Sequence, residues 1–360
     1  MRLATHTLRL PGGQRCGVAV GGQGIPLVLT HGFSLAGGLY VQCLSRLASM
    51  GFLVVAVDLA GHGGSAQLLS SRYDLDEYRR FLADALDVLG IERAVLVGHS
   101  LGGRLMAELA AAEPERAIAL VLVDAAVGRA WDEIAAVSRW APPSLGLMGA
   151  TLAADTMKTL FTAGDQGSKL RVLMMPQAVS NAVAPWRLVP AALSVIFAPS
   201  SRATLARLAR NQVRVSVLHG DCDPLVPLAS ARDAAERTNA EMVVVHGATH
   251  SWPLEDPETL RGIFAELLGD GLGSACSAAL TGAGVDPDTA GAAVAQMALC
   301  HQDALVHTLA PEAGTELRTG ADAGYRWTRF PSPPGTNGHR PTKRRLAVAD
   351  PPPSPLPARP

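Results

Sequence analysis

The run Gly98-His99-Ser100-Leu101-Gly102-Gly103 constrains this chain more than any other part of it. It follows an apolar stretch, Ala94-Val95-Leu96-Val97, and precedes a helix-like stretch, Arg104-Leu105-Met106-Ala107-Glu108-Leu109. A strand that gives way to a helix at a single serine has to turn sharply. Such a turn puts the serine at strained backbone angles with its hydroxyl pointing into space. Side chains two positions to either side would collide there, and Gly98 and Gly102 remove the collision. The helix that follows aims its positive N-terminal end, and the N–H of Leu101, at the same point. That environment suits a transient negative oxygen.

Around this unit the apolar pattern alternates between strand and helix. Cys16–Val20, Pro26–Thr30, Phe52–Val57, Ala94–Val97, Ala117–Val123, Val213–His219 and Met242–His246 read as strands. Leu75–Leu89 reads as a helix, with Leu75, Tyr78, Leu82, Leu86 and Leu89 at helical spacing, and Pro257–Leu268 reads as another. Near-continuous apolar strands separated by helices indicate an α/β fold, a mostly parallel, doubly wound sheet covered on both faces. Residues 128–211 break the rhythm with Trp131, Trp140, Pro142-Pro143, Trp186 and the apolar run Leu188 to Phe197. They read as a helical cap inserted over the sheet, between core segments 1–127 and 212–269.

Beyond Gly269 the composition changes. Residues 270–330 are rich in Gly and Ala, with one helix expected from Asp288 to about Leu309, Pro287 lying at its first turn. Residues 331–360 hold ten prolines and the basic cluster Lys343-Arg344-Arg345, a composition that cannot bury a core and is expected to be a disordered tail. A net charge of −1 gives no reason to expect nucleic acid or an anionic membrane as partner. The five cysteines, Cys16, Cys43, Cys222, Cys276 and Cys300, are scattered and odd in number, as in a cytoplasmic chain of reduced thiols without a zinc site. No signal peptide or run of 18 apolar residues is present, so no transmembrane segment is expected.

Five blocks occur in order along the chain: His31-Gly32-Phe33, Asp58-Leu59-Ala60-Gly61-His62-Gly63-Gly64-Ser65, the serine block, Gly220-Asp221-Cys222-Asp223-Pro224-Leu225-Val226-Pro227, and Gly247-Ala248-Thr249-His250. With them the chain resembles the α/β-hydrolase family over roughly residues 15–268. The resemblance implies a catalytic order of serine, acid and histidine, here Ser100, Asp223 and His250. A serine is a poor nucleophile without a base, and the base needs a group that fixes its tautomer. The block resembles the family pattern G-x-x-D-x-x-x-P, which selects Asp223. Asp124, after the strand Ala117–Val123, is a competing acid, and Asp221 is a further one with a turn role as its simpler reading.

The resemblance also implies an oxyanion hole made by the N–H groups of Phe33 and Leu101, with His31 and Gly32 shaping the first loop and Gly98 and Gly102 the elbow. His99 is expected to pack under the sheet or line the cavity edge, and His62 to organise its loop; His219 and His246 show no obvious partner. Related epoxide hydrolases and haloalkane dehalogenases use aspartate where this chain has Ser100, so the expected chemistry passes through an acyl-serine. The expected reaction is hydrolysis of a carboxylic ester of a small, largely apolar substrate, with no cofactor and no metal. A lactonase, a carbon–carbon bond hydrolase, a cofactor-free haloperoxidase or perhydrolase and an acyltransferase would use the same residues. A ligand-binding protein without turnover is the alternative of another class.

Overall fold

The computed structural model describes residues 3–69, 74–162, 164–311 and 323–332. Nine strands form one sheet: β1 (Ala4–Arg9), β2 (Arg15–Gly22), β3 (Ile25–Thr30), β4 (Phe52–Val57), β5 (Ala94–His99), β6 (Ala117–Val123), β7 (Val215–Gly220), β8 (Glu241–Val245) and β9 (Trp327–Phe330). Their order is β1-β2-β4-β3-β5-β6-β7-β8-β9. The run from β4 to β8 is parallel, and β1, β2 and β9 pair antiparallel at the margins. The burial pattern explains this division. Every residue of β4, β5, β6, β7 and β8 is buried, as a strand covered on both faces must be, whereas β1 and β9 alternate inward and outward.

The helices are α1 (Val41–Ala48), α2 (Leu75–Leu89), α3 (Leu101–Ala112), α4 (Arg129–Trp140), α5 (Pro142–Thr162), α6 (Gly164–Val183), α7 (Val189–Ile196), α8 (Arg202–Arg210), α9 (Leu228–Thr238), α10 (Trp252–Glu255), α11 (Pro257–Leu268), α12 (Gly271–Gly282), α13 (Ala292–Leu299) and α14 (Val306–Leu309). Helix α2 shows how local chemistry sets such limits. The Asp74 carboxylate accepts from the Glu77 N–H at its start, and Gly90 ends it in the left-handed conformation at φ 73°. Helices α2, α3, α8 and α9 cover one face of the sheet, while α1, α11, α12 and α13 cover the other. Among the described residues no single helix is long and apolar enough to cross a membrane.

The segment after Gly269 is more ordered than its composition suggests. Instead of one helix from Asp288 to about Leu309, α12, α13 and α14 pack back on the body, and β9 extends the sheet. Small residues hide the periodicity of α12, yet Leu272, Cys276, Ala279 and Leu280 are all buried at helical spacing against the sheet. The expected helix breaks at Cys300, which forms a bridge with Ile91, while the Glu92 and Arg93 N–H groups both donate to the Leu299 carbonyl. The Pro-rich tail from residue 333 lies outside the described residues.

Strand β9 is locked to β8 by charge. Glu241 is buried, and its carboxylate accepts from Ser216 Oγ at 2.8 Å and from Arg329 Nε at 3.0 Å. Arg214 stands 3.4 Å away as a second cation. Removing one partner of a buried carboxylate leaves charge without compensation. Arg329→Ala is therefore expected to lower unfolding stability by about 2 kcal/mol, read as a reduced urea midpoint, with Ser216 and Arg214 limiting the loss.

Candidate functional site

The site lies where the parallel strands end. Ser100 follows β5, Asp124 follows β6, Asp223 lies three residues past β7, and His250 lies five residues past β8. The carboxyl ends of parallel strands are where sheets of this kind place ligands. Ser100 has φ 55° and ψ −119°, a conformation costly for any residue with a side chain. Its neighbours hold it there: the Ser100 N–H donates to the Val123 carbonyl at 2.9 Å, and the Ala126 N–H donates to the Ser100 carbonyl at 3.0 Å. The two glycines are required by close approach. A Cβ on Gly98 would stand 2.4 Å from the Gly102 carbonyl oxygen, and a Cβ on Gly102 would stand 2.2 Å from the Thr30 oxygen.

His250 and Asp223 meet as the sequence implies. His250 Nδ1 lies 2.7 Å from Asp223 Oδ2, with both side chains buried. Asp223 Oδ1 accepts from the Leu225 and Val226 N–H groups at 2.7 and 3.0 Å, which fixes the carboxylate by its own loop. Because Nδ1 donates to the acid, the neutral imidazole keeps its lone pair on Nε2. Burial opposes charge on His250, but the Asp223 carboxylate, its hydrogen bond, and then Asp124 and Asp155 outweigh it and raise the pKa to about 9. Asp223 is lowered: burial pushes it up, and the His250 charge and hydrogen bond pull it further down. The His99 and His250 ring centroids are 4.8 Å apart, and His99 Nε2 donates to the His250 carbonyl at 2.9 Å, so the histidine loop is seated on the residue before Ser100. Among the described residues no hydrogen bond closes between the Ser100 hydroxyl and His250.

Asp124, the competing acid, does a different job. Its Oδ1 accepts from the Gly220 N–H at 2.9 Å and its Oδ2 from the Trp252 indole N–H at 2.6 Å. It thus ties together the start of the acid loop and the segment just after His250. Burial, then the nearby Asp223 carboxylate, push its carboxyl well above the usual range. His219 Nε2 donates to the Val226 carbonyl at 2.9 Å, leaving its bare Nδ1 3.4 Å from Asp124 Oδ1. Asp124, His219 and Asp223 bring donor atoms within 4.8 Å of one another. Each oxygen of the two acids already accepts from a protein donor.

On the other side of the serine, the loop after β3 closes in. A Cβ on Gly32 would lie 3.2 Å from Ser100 Cβ. His31 Nδ1 donates to the Gly32 carbonyl at 2.7 Å and its Nε2 accepts from the Leu59 N–H at 3.0 Å, so it shapes the loop from beneath. Among the described residues, neither the Phe33 N–H nor the Leu101 N–H donates to a backbone carbonyl. Asp58, whose block carries no sequence signal for this role, bridges Gly37 N–H at 2.7 Å and Gly64 N–H at 2.8 Å and so braces this loop. His99 is buried with Tyr40 Oη 2.7 Å from its Nδ1, and His62 Nδ1 donates to the Ala60 carbonyl at 3.2 Å. His246, expected to lack a partner, lies between Asp221 at 2.9 Å and Thr328 at 2.7 Å, and Asp221 also accepts from the Gly247 N–H.

Helices from residues 128–211 bear on these loops. Asn181 of α6 donates to the Ser34 carbonyl at 2.8 Å, and Arg187 donates to the Ser65 carbonyl at 3.0 Å. Leu170 and Met174 of α6 join the cluster that holds Leu35 and Leu39. Helix α5 packs on α10, which starts two residues after His250, and α8 packs on α3 and α9 as part of the sheet cover.

Residues 27–262 match the alpha/beta hydrolase family. Over 272 residues the chain is 35% identical to a protein of Mycobacterium phage D29 named as a non-heme haloperoxidase, covering 74% of this chain and 95% of the relative. It is 30% identical over 235 residues to a pimeloyl-[acyl-carrier protein] methyl ester esterase of Chromobacterium violaceum, covering 60% of this chain and 82% of that one. Among solved structures, an esterase from Rhodococcus superposes with a TM-score of 0.57 at 24% identity, over 74% of this chain and 99% of that chain. A bromoperoxidase from Bacillus anthracis superposes at 0.54 and 22% identity, over 74% of this chain and all of that one. At these identities the structures establish a shared fold.

The bonds of Asp124 generate a test. Asp124→Asn keeps one acceptor but turns an amide N–H toward either the Gly220 or the Trp252 donor. A buried donor without an acceptor costs roughly 1–3 kcal/mol. The variant is expected to lose that much stability in denaturant unfolding.

Proposed function

This chain is a member of the alpha/beta hydrolase family, and from that premise we propose that it is a serine hydrolase cleaving a carboxylic ester of a small, largely apolar substrate. The observation that carries the reading is the 2.7 Å bond between Asp223 and His250 in loops seated on the strained Ser100 elbow. In this reading His250 Nε2 takes the Ser100 proton as the oxygen attacks the ester carbonyl. The hydroxyl–imidazole contact commonly tightens only around a bound substrate. Charge then develops on the carbonyl oxygen, where the unengaged N–H groups of Phe33 and Leu101 receive it, each worth about 3 kcal/mol of barrier. The histidinium returns its proton to the leaving alcohol while Asp223 stabilises the positive ring. Water activated by His250 frees the acid from the acyl-serine. The helices of residues 128–211 serve as the cap of this site, supported by the anchoring of α6 to the Ser34 carbonyl.

A second reading has its own support. The phage relative is named as a haloperoxidase and is covered over 95% of its length. The same acyl-serine, attacked by hydrogen peroxide in place of water, would release a peracid. A panel of p-nitrophenyl esters assayed with and without peroxide separates the two readings. Ester turnover without peracid formation supports the esterase, and efficient peracid production at millimolar peroxide favours the second.

Two expectations follow for the esterase. Asp223→Asn removes the group that orients the imidazole, and kcat is expected to fall by roughly 10³ to 10⁴, with KM little changed. Only the neutral imidazole can act as base, and its pKa is raised to about 9. kcat/KM is therefore expected to climb from pH 6, to reach half its maximum near pH 9 and to level off only above that, a limb displaced to the alkaline side of an unperturbed histidine. A profile that is already flat at pH 7 would contradict the charge balance described for this site.

A further inference from the structure

We propose that Asp155 and Thr159, one turn apart on α5, form a polar subsite over the histidine loop that takes a hydrogen-bond donor carried by the substrate, a hydroxyl or an ammonium group. The inference deepens the ester-hydrolase reading and rests on it. Both residues are buried, at 5% and 1% exposure, yet Asp155 Oδ2 and Thr159 Oγ1 have no hydrogen-bond partner among the described residues. Buried polar atoms are almost always paired, so two unpaired ones on the same helix face need an occupant. Thr159 also declines the usual helical solution. Thr151, on the same helix, gives its hydroxyl to the carbonyl four residues back, Leu147, at 2.9 Å, whereas Thr159 makes no such bond.

The place of this helix face follows from its neighbours. Helix α5 packs on α10, two residues beyond His250, and Met148 of α5 joins Val226 of the acid loop in one apolar cluster. The Asp155 charge acts on His250, and the Lys158 charge acts on Cys222, next to Asp223. The face holding residues 155, 158 and 159 is thus turned toward the acid and histidine loops. A carboxylate oxygen only accepts hydrogen bonds, while a hydroxyl does both. A substrate hydroxyl can donate to Asp155 and accept from Thr159, and an ammonium can donate to both. A plain alkyl group can satisfy neither.

The test is binding to the Ser100→Ala protein by calorimetry, so that turnover does not intervene. The probes are ethyl hexanoate and matched esters with a hydroxyl or an amino group moved stepwise along the acyl chain and the alcohol. At least one substituted ester is expected to bind about tenfold or more tightly than its parent. That preference is expected to vanish when Asp155→Leu is added. A hydroxyl preference assigns a neutral alcohol, and an amine preference assigns a cation. If no substituted ester binds more tightly than its parent, or if the preference survives Asp155→Leu, the subsite is refuted. Thermal melting of Asp155→Leu alone gives a second check. Replacing Asp155 breaks no hydrogen bond at the open Oδ2, so the melting temperature should hold or rise, and a fall of many degrees would show a structural partner at that oxygen and overturn the proposal. Failure of the ester reading shows separately, as absence of wild-type turnover on p-nitrophenyl hexanoate.

Discussion

The turn at Ser100 is the constraint on which the rest of the molecule depends. A residue with φ 55° and ψ −119° does not hold that shape unaided. It is held because β5 sits at the centre of a parallel sheet, because α3 starts immediately after it, and because Gly98, Gly102 and Gly32 let three backbones meet where side chains would clash. The turn is anchored in a sheet whose strands β4, β5, β6, β7 and β8 are buried throughout.

From that point outward, the site is an arrangement of loops fastened to one another. Asp124 fastens the acid loop to Trp252, His99 fastens the histidine loop to the elbow, and His31 and Asp58 brace the loop that holds Phe33. Each fastening is a hydrogen bond to backbone or to an indole, and all but those of Asp58 are buried. Asp155 and Thr159 stand out against this background because both lie on one face of α5 and each is buried with a polar atom left open among the described residues.

Much of this was legible in the chain. The strands Phe52–Val57 and Ala117–Val123 and the helices Leu75–Leu89 and Pro257–Leu268 have the limits that their apolar spacing indicates. Such elements are buried continuously or along one clean stripe, and that is the signal periodicity reads. Strands β1 and β9 and helices α1, α9 and α12 escaped because each is short, marginal to the sheet, or built from small residues whose burial leaves little hydrophobic contrast. In the site, Asp223 and His250 were legible from motif order. The bracing role of Asp124, the partners of His246 and the inward face of α5 were not, because each depends on a contact between segments tens of residues apart or more.

The proposed chemistry requires a covalent bond to one oxygen, that of Ser100. Mixing the protein with a p-nitrophenyl ester, quenching in acid within the first turnovers and sequencing the digested peptides by mass spectrometry measures that directly. An acyl group is expected on the peptide that contains Ser100, attached at that residue and absent from Ser100→Ala. Turnover that persists in Ser100→Ala, or an acyl group found on a different side chain, would contradict that chemistry.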